Sequence, residues 1–567
     1  MLKGGCGAIP HPLFFRPRKV PILGLLAVLT MAAPSGRAEV VFETVPAATG
    51  WPGATAPEAL RFACSRSVDE LKRHFLESGQ PFRPELARTE KERVCHVFYE
   101  PTVPGFRATP DDDPLREILF DSDSLLYLAT SRNRGEPVGA LREILGRISQ
   151  PLDVSVLLHF EHDESAYAAA TRRAYGQTPH RVTVRERGVK ENFWWVQDYV
   201  KSGTSPRGET ILVPHRLFEG RPENGDVFEP LLEQLTRRPR VVRSRLSWEG
   251  GDLQFTRDPR DPRRLVLYYG SFAKPYWGES LSAGEFEYVL ALEFGADQAV
   301  DLGGLAPHVD YLVSFLPREK TALVSVPRSS DLDVARGALA ALLGRFAGRE
   351  PGALLELQSG LSSPDPDRSR VAVLLAQARR QQAAWDFNTD GALADRMKSL
   401  VARVCPGTAD CFSAANLVRL MDADPALFEE WLQAVQYAKD EQAILTAHLD
   451  LVESQLEPVP ADVVRRTAEK MAALRALGFR TIEVPAIRVD LVTPHDWPGI
   501  SYVNGLVVDR QVFLPRFGLG DVEDRIFRDL GAQLPPGYAV VPIDAQRVLI
   551  RNGGLHCLTG LVRSPTP

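Results

Sequence analysis

The chain has little of what anchors a protein to a membrane or to nucleic acid. Among its 567 residues, only residues 20–33 form an apolar run that could enter a bilayer, and no other stretch is long enough to cross one. Basic residues are outnumbered by acidic ones, 67 to 73, which gives a formal net charge of −6 at pH 7. This balance disfavours nucleic acid as a partner and favours cationic ligands.

The N-terminal segment has the composition of an export signal. Arg16, Arg18 and Lys19 precede the apolar run, and the small residues of 36–38 fit the site that a signal peptidase cleaves. The run is short for a membrane span, so a cleaved signal over residues 1–38 is favoured over an uncleaved anchor. We therefore expect a secreted or periplasmic protein without stable membrane association after cleavage.

Cysteine is scarce, and its distribution leaves one residue over. The chain has six cysteines, of which Cys6 leaves with the signal. The other five group as Cys64 with Cys95, Cys405 with Cys411, and Cys557 alone. An oxidising compartment allows the two close pairs to form disulfides, which leaves Cys557 as a free thiol. A lone cysteine is most often an inert buried residue, so the other motifs decide between that role and a reactive one.

The patterning of apolar residues divides the mature chain into parts. Short β-type runs, such as residues 210–213 and 265–269, alternate with turns or helical segments over residues 151–330. The β pattern resumes over residues 481–567, with runs such as residues 512–515, which indicates an α/β unit. Helical spacing over residues 331–480 predicts a helical insertion into that unit. Residues 39–150 mix both patterns, and no chemistry can be assigned to them. This division places Cys557 on the last strand of the α/β unit.

Two acidic residues are candidate ligand-binding groups: Asp198 follows a mostly apolar run, and Asp252 follows a glycine pair. Asp198 closes residues 193–197, where a carboxylate needs a cation or a set of hydrogen bonds. Asp252 follows the Gly250-Gly251 pair, which permits close approach of the backbone to a ligand. An aromatic core strand and an ordinary turn would give the same letters, so neither motif alone indicates a binding site.

Two histidines are candidate partners for the thiol. His308 and Asp310 are two positions apart, so on an extended chain both side chains face one pocket. The same alternation points His556 away from Cys557. We therefore expect His308 to be the partner of the thiol and His556 to have a structural role.

Taken together, the motifs resemble the catalytic domain of the protein-arginine deiminases, which belong to the guanidino-group-modifying superfamily. The resemblance covers roughly residues 150–330 and 480–567. It rests on Trp195-Val196-Gln197-Asp198, Gly251-Asp252-Leu253-Gln254, residues 308–317, Val503-Asn504-Gly505-Leu506-Val507 and His556-Cys557-Leu558-Thr559. The fold that it implies is a five-bladed pseudo-symmetric α/β propeller, here interrupted by the helical insertion and preceded by a small N-terminal region.

The resemblance also implies roles for the site residues. Cys557 would attack the guanidinium carbon, and His308 would protonate the departing ammonia and then activate water. Asp198 and Asp310 would grip the guanidinium between two carboxylates. The same motifs supply four candidate substrate-binding residues: Trp195, Gln197, Asp252 and Asn504. The implied reaction converts peptidyl arginine into peptidyl citrulline and ammonia through a thiouronium on the cysteine.

The chain departs from the family pattern at two points. Animal members depend on calcium and carry an acidic residue three positions after the matching aspartate, where this chain has Lys201. Because lysine cannot ligate calcium but can replace its charge, we expect an enzyme without a metal or other cofactor. The arginine that grips the substrate backbone in those enzymes has no clear match, and Arg216 and Arg245 are candidates only because they lie between the motifs.

Three alternatives stay open beside a protein-directed deiminase. Relatives that act on agmatine or free arginine more often have Arg where Gln197 stands, and Asn in the strand before the cysteine, so this chain leans towards peptide substrates. An inactive arginine-binding module is disfavoured because all four catalytic residue types are present. A papain-like protease is disfavoured because Cys557 follows its histidine instead of preceding it. The oligomeric state and the role of the helices cannot be derived from the sequence.

Overall fold

We describe the fold from a computed structural model. The described residues are 40–45, 58–90, 92–111, 113–121, 144–149, 151–159, 181–187, 196–215, 232–233, 235, 238–270, 281–302, 308–316, 318–327, 332–345, 352–362, 367–383, 391–405, 419–420, 422–455, 459–487, 500–546 and 554–563. They fall into two compact units. The first unit comprises the described parts of Met1–Thr44 and Arg61–Val97, and the second comprises those of Val45–Leu60 and Phe98–Pro567.

A four-stranded sheet and an α-helix form the described part of the first unit. The sheet has the order β1-β2-β4-β3, formed by β1 (Val41–Thr44), β2 (Leu60–Ser65), β4 (Arg93–Tyr99) and β3 (Arg88–Glu90). Helix α1 (Val68–Glu77) begins after Ser67, whose side chain accepts a hydrogen bond from Glu70 N. A disulfide joins Cys64 on β2 to Cys95 on β4, and this is one of the two cysteine pairs predicted from the sequence. Cys411 lies outside the described residues, so the second pair stays a prediction.

Five small sheets in the described part of the second unit repeat one connectivity. In each, a central strand pairs antiparallel with one neighbour and parallel with the other. In the order antiparallel neighbour, central strand and parallel neighbour, the strands are β9 (Lys201–Ser205), β10 (Gly208–Val213) and β11 (Arg240–Arg243); β12 (Leu253–Arg257), β13 (Leu265–Tyr269) and β14 (Gln298–Asp301); β15 (Val313–Leu316), β16 (Thr321–Pro327) and β17 (Arg480–Ile487); β19 (Leu506–Val508), β20 (Gln511–Arg516) and β21 (Ala539–Asp544); and β22 (Thr559–Arg563), β6 (Leu115–Asp121) and β7 (Asp153–His159). Further strands extend these sheets at their edges: β5 (Arg107–Ala108) beside β9, β18 (Ile500–Ser501) beside β17, and β8 (Arg181–Arg187) beside β7.

Helices connect several of the parallel strands, because two parallel neighbours require a crossover. Helix α2 (Ala283–Phe294) lies between β13 and β14, and helix α9 (Asp521–Gln533) lies between β20 and β21. The described chain between β16 and β17 contains α3 (Leu332–Arg345), α4 (Gly352–Leu361), α5 (Arg368–Ala383), α6 (Gly391–Val404), α7 (Pro425–Ser454) and α8 (Ala461–Ala476). The mixed α/β class expected from the sequence is therefore confirmed.

The helices between β16 and β17 share their core with the neighbouring sheets. Leu357 of α4, Leu375 of α5 and Leu445 of α7 belong to one buried cluster that also contains Phe513 of β20. None of the helices that the structure describes combines the length and the apolar character that a bilayer crossing needs. The predicted signal, residues 1–38, lies outside the described residues.

One sheet joins strands that are far apart in sequence. Strand β22 runs antiparallel to β6, with Thr559 opposite Phe120 and Arg563 opposite Leu115. Because β22 starts at Thr559, Cys557 lies just before the first paired residue. The predicted domain boundaries stay predictions. This sheet contains strands from both sides of the boundary predicted at residue 150.

Candidate active site

Three of the predicted site residues converge on Gly251. This glycine lies in a 3₁₀ turn, Gly250–Asp252. A methyl group on its Cα would lie 2.6 Å from His308 Nδ1, 3.0 Å from Asp198 Oδ1 and 3.2 Å from Asp310 Oδ2. The main chain also takes part, since Gly251 N donates to Asp198 Oδ1 at 2.9 Å. Glycine at this position therefore allows an imidazole and two carboxylates to approach one point.

The thiol of Cys557 lies in a turn just before β22. The expected strand position was wrong because residues 555–558 form this turn. The side chain is 3% exposed, and its Sγ lies 3.5 Å from Asp310 Oδ2. Asn504 Nδ2 donates to this sulfur at 3.0 Å, and Asn504 Oδ1 accepts from Cys557 N at 3.3 Å. Asn504, expected to bind substrate, is thus placed to hold the cysteine.

His308 is paired with Glu249, a carboxylate outside the set of predicted site residues. Its Nε2 lies 2.5 Å from Glu249 Oε2, and its Nδ1 lies 4.0 Å from Asp198 Oδ1. Two acids, Glu249 and Asp252, flank the glycine pair, and Asp252 is the one expected from the sequence to bind substrate. Asp252 is fully buried. Its N donates to Glu249 O at 3.0 Å within the turn, and its main-chain O accepts from Gly270 N, just after β13, at 3.1 Å.

Asp310 offers one oxygen to the protein and keeps another available. Its Oδ2 accepts from His556 Nδ1 at 2.8 Å. Its Oδ1 is buried, and no group in the described part of the chain forms a hydrogen bond with it. The expected orientation of His556 was wrong, because strand alternation does not hold in the turn that carries it. Residues Val309–Tyr311 also form a 3₁₀ turn, so a turn brings His308 and Asp310 together where we expected an extended strand.

The other predicted residues are placed as follows. Gln197 N donates to Cys557 O at 3.3 Å. With the amide oriented to satisfy both of its ends, the Gln197 side chain donates to Thr559 O at 2.8 Å and its oxygen lies 3.0 Å from Lys201 Nζ. Arg245 is exposed, and its Nη1 donates to Glu100 O at 3.1 Å. Trp195 and Arg216 lie outside the described residues.

Burial and the two aspartates set the charge of the free site. Burial and the Asp310 carboxylate raise the pKa of Cys557 to about 12, against the opposing effect of a hydrogen bond with His308. Burial raises the pKa of Asp198 to about 7, against the attraction of His308. Burial lowers the pKa of His308, but Asp198, Cys557 and Glu249 together raise it well above its ordinary value. At neutral pH the free site therefore combines a neutral thiol with a charged imidazole.

Two overlapping sets of side chains have the spacing of metal ligands. They are His308 with Asp310 and Cys557, and Asp198 with Glu249 and His308, and in each set the ligand atoms lie within 4.8 Å of one another. The His308 ring belongs to both sets, and its Nε2 already lies 2.5 Å from Glu249 Oε2. We interpret both sets as acid–base groups, and the absence of a metal cofactor stays a prediction.

Sequence comparisons match parts of the chain to deiminases. Residues 434–562 match the sequence model of the Porphyromonas-type peptidyl-arginine deiminases. A putative agmatine deiminase of Legionella pneumophila (strain Paris) is 37% identical over 60 residues, which are 11% of this chain and 17% of that protein. One from Yersinia pseudotuberculosis serotype O:1b (strain IP 31758) is 39% identical over 59 residues, 10% of this chain and 16% of that protein. The chain thus matches about a sixth of the length of these relatives.

Structural comparison finds solved structures that are also named as deiminases and that share little sequence identity with this chain. Agmatine deiminase from C. jejuni aligns with 82% of this chain and 97% of its own, with a TM-score of 0.44 and 11% identity. A putative arginine deiminase from Porphyromonas gingivalis aligns with 80% of this chain and 97% of its own, with a TM-score of 0.40 and 13% identity. The sequence match over residues 434–562, which includes Asn504 and Cys557, confirms the resemblance of this chain to the protein-arginine deiminases of the guanidino-group-modifying superfamily.

Proposed function

We propose that this protein is an exported deiminase that converts arginine side chains of peptides or proteins into citrulline and ammonia. The observation that carries the proposal is the convergence of an imidazole and two carboxylates at Gly251, with the Cys557 sulfur 3.5 Å from Asp310 Oδ2 and with Asp310 Oδ1 left without a hydrogen-bond partner among the described residues. A guanidinium is planar, cationic and rich in donors, so two buried carboxylates suit it. Export rests on the composition of residues 1–38.

The repeated sheets support a propeller as the scaffold of this function. Five sheets of the described chain share one connectivity, and a five-bladed pseudo-symmetric α/β propeller requires five such units. In this arrangement β22 and β6 belong to one blade and close the ring between distant parts of the chain. Helices α3 to α8 then form an insertion into the third blade, between its parallel strands.

The first chemical step forms a carbon–sulfur bond and releases ammonia. Asp198 and Asp310 hold the guanidinium, and the Cys557 sulfur adds to its central carbon. His308 donates a proton to the departing nitrogen, so that the carbon–nitrogen bond breaks and ammonia leaves. Glu249, 2.5 Å from the far ring nitrogen, holds the imidazole in position and stabilises its charge. The product of this step is a thiouronium on Cys557.

The second step returns the thiol and completes citrulline. His308, now neutral, accepts a proton from a water molecule, whose oxygen adds to the thiouronium carbon. The carbon–sulfur bond breaks, the sulfur leaves as a thiol, and the carbon retains the oxygen as the ureido carbonyl. The side chain has lost its positive charge, so the two carboxylates no longer hold it and the product dissociates.

Substrate binding supplies the thiolate in this mechanism. A pKa of about 12 leaves almost no thiolate in the free site at neutral pH. A bound guanidinium places a positive charge between the carboxylates that oppose ionisation, and therefore lowers the pKa of the thiol. The free enzyme then has a protonated thiol, and the thiol proton is released to solvent as the guanidinium binds, because His308 already carries the proton that it later gives to the departing nitrogen.

Alkylation of the free enzyme tests this order of events. Because only the thiolate reacts, the rate of Cys557 modification by iodoacetamide is expected to rise about tenfold per pH unit from about pH 6 to about pH 10, without levelling. The measurement is mass-spectrometric labelling against time, with Cys557→Ala to identify the modified residue. A plateau below about pH 8 would show a preformed thiolate and contradict substrate-triggered deprotonation.

The substrate class is tested by three guanidines assayed side by side. We expect kcat/KM for citrulline formation from an N-acylated arginine amide to exceed that from free arginine, and agmatine to be poor. The rival candidate, a deiminase of small guanidines, is favoured by the names of the relatives that match about 60 residues of this chain. Turnover of agmatine alone would refute peptide specificity but leave a deiminase, and ammonia release from none of the three would refute the deiminase.

A further inference from the structure

Lys201 presents a buried ammonium group beside the proposed site. The residue lies at the start of β9 and is 5% exposed. Its Nζ donates to Leu253 O at 2.7 Å and lies 3.0 Å from the side-chain oxygen of Gln197, with the ring of Phe255 at 5.7 Å. A buried ammonium is costly unless acceptors and opposite charges surround it. These contacts therefore indicate a specific position for the ammonium group.

The ammonium connects the segments that carry the site residues. Leu253 directly follows the Gly250–Asp252 turn, and this turn holds Asp198 through Gly251 N. Gln197 directly precedes Asp198, and its main chain and side chain bind the cysteine segment at Cys557 O and Thr559 O. Lys201 Nζ thus contacts Leu253, the residue after the glycine turn, and Gln197, the residue before Asp198.

The charge of Lys201 also fits its surroundings. The proposed site gathers the carboxylates of Asp198, Glu249 and Asp310 around the imidazole of His308. Asp111, Asp310 and Asp198 all attract the ammonium of Lys201, although burial outweighs them and lowers its pKa. A cation at this place offsets part of the negative charge that builds up around the substrate.

We propose that Lys201 is a positioning residue of the deiminase site, a built-in cation that orients the Asp198 and Leu253 segments and offsets the charge of the carboxylates. The proposal rests on the proposed function. Lys201 does not touch the reacting atoms in this scheme. It acts through Asp198, which must be ionised to bind a guanidinium.

The consequence is a pH dependence that a purely structural lysine would not produce. Ionisation of Asp198, with a pKa of about 7, contributes to the ascending limb of kcat/KM against pH, together with loss of the thiol proton of Cys557. Loss of the Lys201 charge disfavours the ionised carboxylate, so the limb moves to higher pH. The charged and titratable groups around the pair are His308, Glu249, Asp310, Tyr311 and Cys557 near Asp198, and Asp111 and Arg563 near Lys201.

Three variants test the proposal: Lys201→Met, Lys201→Arg and the control Lys470→Met. Lys470 Nζ also donates to a main-chain oxygen, that of Asp301, at 3.0 Å, but it lies on α8. We expect Lys201→Met to lower kcat/KM at pH 7 by roughly 10- to 100-fold and to move the ascending limb up by about one pH unit, part of the loss being recovered at high pH. Lys201→Arg should keep the limb in place, and Lys470→Met should leave the whole profile unchanged.

A second readout decides the role of Lys201 even if no substrate is turned over. Removing a nearby cation raises the pKa of the Cys557 thiol, so iodoacetamide should modify Lys201→Met more slowly than wild type, by about threefold per unit of pKa after allowance for the greater nucleophilicity of a more basic thiol. A wild-type protein that releases no ammonia would refute the proposed function, whereas unchanged alkylation in Lys201→Met would refute the role of Lys201. A kcat/KM loss that is equal at every pH would likewise reduce Lys201 to a structural residue.

Chelation completes the test, because a bound metal ion could supply the same charge. We expect EDTA to leave wild-type turnover unchanged. Activity that EDTA abolishes and calcium restores would overturn both the calcium-independence expected from the sequence and the assignment of the cation to Lys201.

Discussion

Replacing Cys557 by alanine is expected to reduce ammonia release from arginine substrates by a factor on the order of 10⁴ or more. The proposed reaction needs a covalent bond to carbon, and the Cys557 sulfur lies 3.5 Å from Asp310 Oδ2 and within 4.8 Å of a ring nitrogen of His308. Water would have to attack the guanidinium directly in the variant, which is a far slower reaction. Binding should survive, since Asp198 and Asp310 are unchanged, and calorimetry with the unreacted substrate measures it.

A second buried cysteine provides the control for this experiment. Cys405 belongs to the helical cluster that contains Leu400 and Leu427. Cys405→Ala is expected to keep the turnover of the wild type, even if the helical packing loses stability. Full turnover by Cys557→Ala would refute the catalytic assignment, and loss of turnover in both variants, with loss of the folded state, would leave only a structural role for the thiol.

Local patterns in the sequence predicted many of the strands correctly. The runs at residues 210–213, 265–269 and 512–515 coincide with β10, β13 and β20, because buried strands require consecutive apolar or β-branched residues. The pairing of β22 with β6 was not predictable in this way. Its register joins residues more than 400 positions apart, Thr559 and Phe120 among them, and no local periodicity records such a contact.

In the candidate site, local patterns likewise indicate which residues take part but not the direction in which each side chain points. Asp198, His308, Asp310 and Cys557 were selected from the family resemblance, and the structure brings them together. The contacts of His556 and Glu249 were missed because both lie in or next to turns, where alternation along an extended strand gives the wrong direction. A glycine pair flanked by two acids was the available signal for Glu249, but only the tertiary contact with His308 separates it from Asp252.

Asp310→Asn is expected to lower kcat/KM by roughly 10²- to 5 × 10³-fold, since removing one charge of a buried ion pair costs about 3–5 kcal/mol. The buried Asp310 Oδ1, which has no hydrogen-bond partner among the described residues, is the atom proposed to receive the guanidinium. Its loss should raise KM by weakening binding and lower kcat by misplacing the carbon relative to the sulfur. Steady-state kinetics with an N-acylated arginine amide measures both parameters.

The same variant should make the thiol more reactive while it makes the enzyme less active. After burial, Asp310 contributes most to the raised pKa of Cys557, so its neutralisation lowers that pKa. Alkylation at a fixed neutral pH is then expected to accelerate by about threefold per unit of pKa, because the larger thiolate fraction outweighs its lower nucleophilicity. Asp258→Asn, at a buried carboxylate that lies 3.6 Å from Arg264, is the control and should change neither rate.

The two rates measured on Asp310→Asn separate an electrostatic role from general damage. Unchanged or slower alkylation would contradict the charge assigned to Asp310, and retained turnover would contradict its place in the guanidinium clamp. A misfolded site would also expose the thiol, but Cys557 would then titrate with the pKa of an ordinary cysteine, about 8.5, and alkylation would level off above it. Faster alkylation that still rises beyond about pH 9, together with slower turnover, is therefore the result expected from the loss of one buried charge.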